Sequence, residues 1–119
     1  MEKHFVYRFL HNGEVIYVCK AKTDSLADKL INHRNHDGKL KKYCKEYGIE
    51  FSDLTLEYLE YVDDFEADLV KTALMYLYRP VLNACGNSER EPESSVSFVL
   101  HREFQLFELK NLEKVEEVT

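Results

Sequence analysis

The sequence predicts one α+β domain, an α/β fold whose elements follow the order β-β-α-α-β-α. Three observations carry this: an Asn12-Gly13 turn between two β-rich runs, apolar residues at helical spacing in three later stretches, and alternation at 54–59. With 119 residues, 45% hydrophobic and 13% aromatic, the chain suffices for a single closed core.

Phe5 to Leu10 and Glu14 to Val18 read as the arms of a hairpin around His11-Asn12-Gly13. A two-residue loop pairs His11 with Glu14 and sets Tyr7 opposite Val18, so that Tyr7 and Tyr17 face opposite sides of the sheet. A three-residue loop with Gly13 left-handed pairs Leu10 with Glu14 and sets Tyr7 across from Tyr17 on one face. Thr23, Asp24 and Ser25 each offer an N-cap to a helix in which Leu26, Leu30 and Ile31 repeat through about Arg34. Lys29 and His33, four apart, share a side of it. Leu40, Tyr43, Cys44 and Tyr47 predict a second helix, closed by Gly48.

Leu54, Leu56 and Tyr58 alternate with Thr55, Glu57 and Leu59, a third strand over 53–62. Phe65, Leu69, Ala73, Tyr76 and Leu77 mark a third helix, stopped near Arg79 by Pro80. Residues 1–86 form one unit. Asn87 to Ser95 is polar, is interrupted by Pro92 and reads as a surface loop. Val96 to Leu100 suits a strand, while Phe104 to Val118 fits neither period. Residues 96–119 are thus a C-terminal extension, open between strand and helix and expected to pack on the same domain.

No stretch approaches the roughly 18 to 20 apolar residues of a bilayer span, and Met1-Glu2-Lys3-His4 does not begin a secretion signal. The expectation is a soluble cytoplasmic protein with no membrane partner. Cys19, Cys44 and Cys85, odd in number and far apart, make neither a disulfide framework nor a zinc knuckle and read as reduced thiols. The net charge of −6 is unevenly spread. Residues 1–50 carry ten Lys and Arg against seven Asp and Glu, a balance of +3; residues 51–119 carry six against fifteen, a balance of −9. Such a split allows one basic face toward phosphate and argues against tight, nonspecific coating of DNA.

The first half carries two aromatic signatures, Phe5-Val6-Tyr7 and Tyr17-Val18-Cys19, the second followed by Lys20-Ala21-Lys22. Between them stand Arg8-Phe9-Leu10 and Asn12-Gly13-Glu14-Val15-Ile16; Leu30, His33, Ala67, Leu74, Pro80 and Asn83 follow. In these residues the chain resembles the GIY-YIG nuclease superfamily, including the N-terminal domain of the excinuclease C type, over residues 4–84, with a turn one residue short. The resemblance implies a small mixed sheet flanked by helices and a site that gathers Tyr7, Tyr17, Lys29, His33, Lys71 and Asn83. It also favours the three-residue hairpin loop, because the family brings both tyrosines to one site.

Three departures fall where the family's chemistry occurs. Its signature glycine is Cys19 here, its helix arginine falls on Lys29, and its metal-binding glutamate falls on Lys71. The family cleaves phosphodiesters with a divalent ion on that glutamate, so the exchange is decisive. Two unit charges about 4 Å apart interact by roughly 4 kcal/mol at an effective dielectric near 20, so an ammonium in place of the carboxylate removes several kcal/mol of metal affinity. Lys29 lacks the planar fork that grips two phosphate oxygens. The side chain of Cys19 either crowds the backbone's approach to a phosphate or packs.

The resemblance therefore implies a degenerate site on a binding module, with no metal and no cofactor. Two partner classes follow. Nucleic acid would be held through Lys20, Lys22, Lys29, Lys41 and Lys42, with Lys39, Lys45 and Arg34 extending the patch. A basic protein surface would instead meet the acidic half, at Asp63, Asp64, Glu66, Glu113, Glu116 and Glu117, as small acidic phage counter-defence proteins do. The alternative is an active endonuclease with Mg²⁺ or Mn²⁺ on Asp68. Asp68 otherwise pairs with Lys71 as an i, i+3 contact. Tyr7 and Tyr17 also fit plain cross-strand packing, His33 an inert surface position and Asn83 a structural brace. Cys44 and Cys85 read as packing residues, and a Cys19 thiolate is a further candidate nucleophile.

Overall fold

The run Phe5-Val6-Tyr7 lacks the alternation of a half-exposed strand because both of its faces are covered. The computed structural model describes residues 3–86 and 103–112, the side chains at 84–86 excepted. It places this run in β1 (Lys3–His11), inside a four-stranded sheet of order β2-β1-β3-β4 with β2 (Glu14–Thr23), β3 (Thr55–Tyr61) and β4 (Gln105–Phe107). Phe5, Tyr7 and Phe9 point to one face and Val6 to the other. The α+β class and the β-β-α-α-β-α order are as expected. Every ladder is antiparallel, where a mixed sheet was expected, because β1 and β3 run in opposite directions and no parallel crossover joins them.

Helices cover both faces. On one side lie α1 (Leu26–Asn35) and α2 (Lys39–Tyr47), which bury Leu26, Leu30, Leu40, Tyr43 and Cys44 against Phe5, Tyr7, Phe9 and Leu56. Ser25 is the cap of α1, accepting from Asp28 N at 3.4 Å, and Gly48 closes α2 at φ 64°. On the other side α3 (Asp64–Tyr78) packs Ala67, Val70, Ala73, Leu74 and Met75 onto Val6, Val15, Val18, Leu59 and Tyr61. Helical spacing had placed Phe65 and Leu69 on the packed face, yet they are 70% and 40% exposed. Small residues let α3 lie close to the sheet, so the alanine-containing stripe is buried instead.

The hairpin follows neither predicted register. Asn12 (φ 51°) and Gly13 (φ 82°) form a two-residue turn of the left-handed kind and His11 pairs with Glu14, so the three-residue loop is corrected. A bulge then adds one residue to β2: Leu10 faces Val15 but Phe9 faces Tyr17, and Tyr7 faces Cys19. Tyr7 and Tyr17 reach one face after all, by a bulge and not by loop length.

Past α3, Arg79 turns left-handed (φ 45°) before Pro80, and a short 3₁₀ segment, Val81–Gly86, brings Asn83 to the outer edge of β2. There Asn83 Oδ1 accepts from Val18 N at 2.7 Å and Asn83 Nδ2 donates to Val18 O at 2.9 Å, satisfying buried strand groups that no neighbouring strand reaches. At the opposite edge β4 adds to β3, and Leu109 and Leu112 bury in the core under α1 and α2. The strand expected at Val96–Leu100 and the loop at Asn87–Ser95 lie outside the described residues. Among the described residues no helix is long and apolar enough to cross a membrane. Asn83→Ala leaves both Val18 groups without a partner and should lower unfolding free energy by about 2 to 4 kcal/mol in urea denaturation. A loss below about 0.5 kcal/mol would show that the brace is dispensable.

Candidate functional site

At the β2 edge, α1 approaches from one face and α3 from the other, leaving an open cleft of about 460 Å³. Tyr7, Tyr17, Lys29, His33, Lys71 and Asn83 all line it, with Val18, Cys19, Lys20, Ala21 and Lys22. Residues distant in sequence therefore meet where the resemblance grouped them. Tyr7 is buried, and its hydroxyl shares a 2.7 Å hydrogen bond with Nε2 of His33, whose ring also lies edge-on to Phe9 and Tyr17. Lys29 stands one turn before His33 on α1.

The tyrosines are unsuited to ionise. Burial, and then the neighbouring Cys19 thiol, push the Tyr17 hydroxyl up to about 12, and the same causes with Tyr17 push Tyr7 further. Cys19 settles its alternatives by packing: it is 8% exposed, and burial raises its thiol to about 12 despite hydrogen bonding from Tyr17 and the nearby Lys71 ammonium. A Cys19 thiolate nucleophile is thereby disfavoured. Burial lowers the pKa of His33 from 6.5, with His36 and Lys29 adding to the effect, so the ring is neutral at pH 7.

Among the described residues four ammoniums line the cleft, from Lys20, Lys22, Lys29 and Lys71, and no carboxylate does. Lys20 is partly spent, because Asp64 and Asp68 hold its Nζ at 3.0 and 3.4 Å. Hydrogen bonding raises the Lys20 pKa and lowers that of Asp64. Asp68 therefore pairs across to β2, which corrects its expected i, i+3 contact with Lys71. Among the described residues Lys71 makes no ion pair, and no group of three metal-ligating side chains gathers.

Other predicted residues lie elsewhere. Lys41 pairs with Asp37 at 3.3 Å and borders a separate depression with Arg34 and Lys45. Lys42 borders a slot formed with Tyr43 and Tyr47. A depression of about 410 Å³ beside the cleft shares Tyr17, Lys29 and His33 with it and adds Asn32, His36 and Lys39. The part played by His36 and by the Tyr43–Tyr47 pair went unread in the sequence, although the i, i+4 spacing of the two tyrosines was visible.

No family model, curated protein or solved structure matches the chain. None of these comparisons identifies a GIY-YIG domain.

His33 in the folded chain takes up its proton at lower pH than in the unfolded chain. Stability is then complete above about pH 6.5 and is lost as pH falls through the depressed folded value. Urea midpoints measured from about pH 7.5 to about pH 5 should fall on acidification, and His33→Gln should flatten the fall. An equally steep profile in the variant would remove His33 as the cause.

Proposed function

We propose that this chain binds the phosphate backbone of nucleic acid in the Tyr7–Tyr17–Lys71 cleft and does not hydrolyse it. The observation that carries this reading is the lining: Lys22, Lys29 and Lys71 converge on one cleft whose described lining residues include no carboxylate. Three nearby cations attract a polyanion by Coulomb forces and counterion release, and they repel a divalent metal for the same electrostatic reason. Half-buried, protonated Tyr17 offers its hydroxyl to a phosphate oxygen, while buried Tyr7 is engaged with neutral His33, so the cleft presents no strong base. The rival endonuclease reading needs Asp68 as a metal ligand, and Lys20 already occupies that carboxylate.

A second reading has its own observation. Val62 and Phe65, 96% and 70% exposed, stand among Asp63, Asp64 and Glu66, an apolar and acidic face suited to a basic protein surface. Pull-down of a basic partner that depends on Asp63 and Glu66 would favour it. The two faces adjoin at the Lys20–Asp64 pair, and Asp63 and Glu66 lie outside the cleft lining, so each face is tested alone.

Neutralising about three phosphates on a single strand should cost about 20-fold in affinity between about 50 and about 200 mM salt. Lys71→Gln should weaken binding and reduce the log–log salt slope by about 0.7. Binding that ignores salt, or none to DNA or RNA, rejects the reading. So does Mg²⁺-dependent nicking lost in Asp68→Ala and Tyr17→Phe.

A further inference from the structure

We infer that the slot beside α2 is a base-stacking subsite, where a single-stranded nucleic acid whose backbone follows the cleft lays one base against Tyr47. This rests on the phosphate-binding reading and extends it from charge to the choice of single strands.

The path is continuous. The cleft shares Tyr17, Lys29 and His33 with the neighbouring depression, and that depression shares Lys39 with a slot of about 330 Å³. Lys39 joins the two: its Nζ donates to the Leu82 carbonyl at 3.0 Å and lies 5.9 Å from the centre of the Tyr17 ring. Cations therefore recur from Lys22 and Lys71 through Lys29 to Lys39 and Lys42, with aromatic rings between them. That alternation is the pattern by which proteins track an unpaired strand.

The slot itself has a platform. Tyr47 is 57% exposed, yet its ring is held by Tyr43, with centroids 4.4 Å apart, and by His11 at 5.8 Å. Tyr43 is fixed in turn by a 2.7 Å hydrogen bond with Nδ1 of His11. An aromatic ring so supported and still open to solvent offers area at little cost in ordering. Val81, 63% exposed, and Leu82 complete apolar walls around it.

Charge chooses the occupant. Lys39 and Lys42 outweigh Glu46 at the slot, and the path leading to it is more basic still, so a basic peptide is disfavoured and a polyanion with flat apolar rings is favoured. A duplex keeps its base faces stacked on one another, so the strand must be single.

The test compares an oligothymidylate with an abasic phosphodiester oligomer of equal length on the full chain. Wild type should bind the thymidylate about tenfold more tightly. Tyr47→Leu, which keeps apolar bulk against Tyr43, should erase that ratio and leave abasic affinity unchanged. A ratio that survives in Tyr47→Leu, or equal binding of both oligomers by wild type, overturns the stacking subsite while phosphate binding stands. Failure to bind either oligomer overturns both. Should Tyr47→Leu not fold, irradiation of wild type with a 5-iodouracil oligomer decides: crosslinking at Tyr47 or Tyr43 supports the subsite, and crosslinks confined to other residues reject it.

Discussion

The single extra residue in β2 governs which side chains meet. Without the bulge beside Phe9 and Leu10, the two-residue Asn12-Gly13 turn would put Tyr17 and Cys19 on the α3 side of the sheet, away from Tyr7. With it, Tyr7, Phe9, Tyr17 and Cys19 share the α1 face, while Val18 turns to α3. The same shift leaves the backbone of Val18 at the outer edge of the sheet, where the Asn83 amide takes both of its polar groups as a neighbouring strand would. Register, edge protection and cleft are thus one feature. Bulges serve elsewhere to re-aim side chains beside functional sites, and this one has that geometry.

Once these walls are set, charge decides what the cleft favours. Burial keeps the two tyrosines and Cys19 protonated and His33 neutral, so among the described residues the fixed charge of the lining is that of its lysines. Asp64 and Asp68, the nearest carboxylates on α3, are drawn to Lys20 and stand outside the lining. A hydrolytic site of the resembled kind needs the reverse arrangement, an anion facing inward to fix a divalent ion. The Lys71 ammonium at the cleft gives the opposite field.

Much of this was legible in advance, because caps, breakers and alternation are local signals. Ser25, Gly48 and Pro80 bounded their helices, and Leu56 and Tyr58 marked β3, with Leu54 just ahead of its first residue. The grouping of Tyr7, Tyr17, Lys29, His33, Lys71 and Asn83 came from resemblance, since no periodicity reveals a contact between residues so far apart. Three things stayed hidden for physical reasons. The bulge carries no glycine to announce it, and the correct face of α3 depends on close approach by Ala67 and Ala73, which a hydrophobicity count underweights against Phe65 and Leu69. Leu109 and Leu112 are buried by a short tail whose β4 has only three residues, too few to show a period.

Phosphate binding without hydrolysis, as proposed, requires the cations of the cleft to keep a divalent metal out of it. Crystals soaked in Mn²⁺ and measured for anomalous scattering address it most directly. The predicted map has no manganese among Tyr7, Tyr17 and Asn83 and shows the Lys71 ammonium facing the cleft. A well-occupied manganese there, with Asp68 swung away from Lys20 to ligate it, would contradict the account and restore a hydrolytic reading.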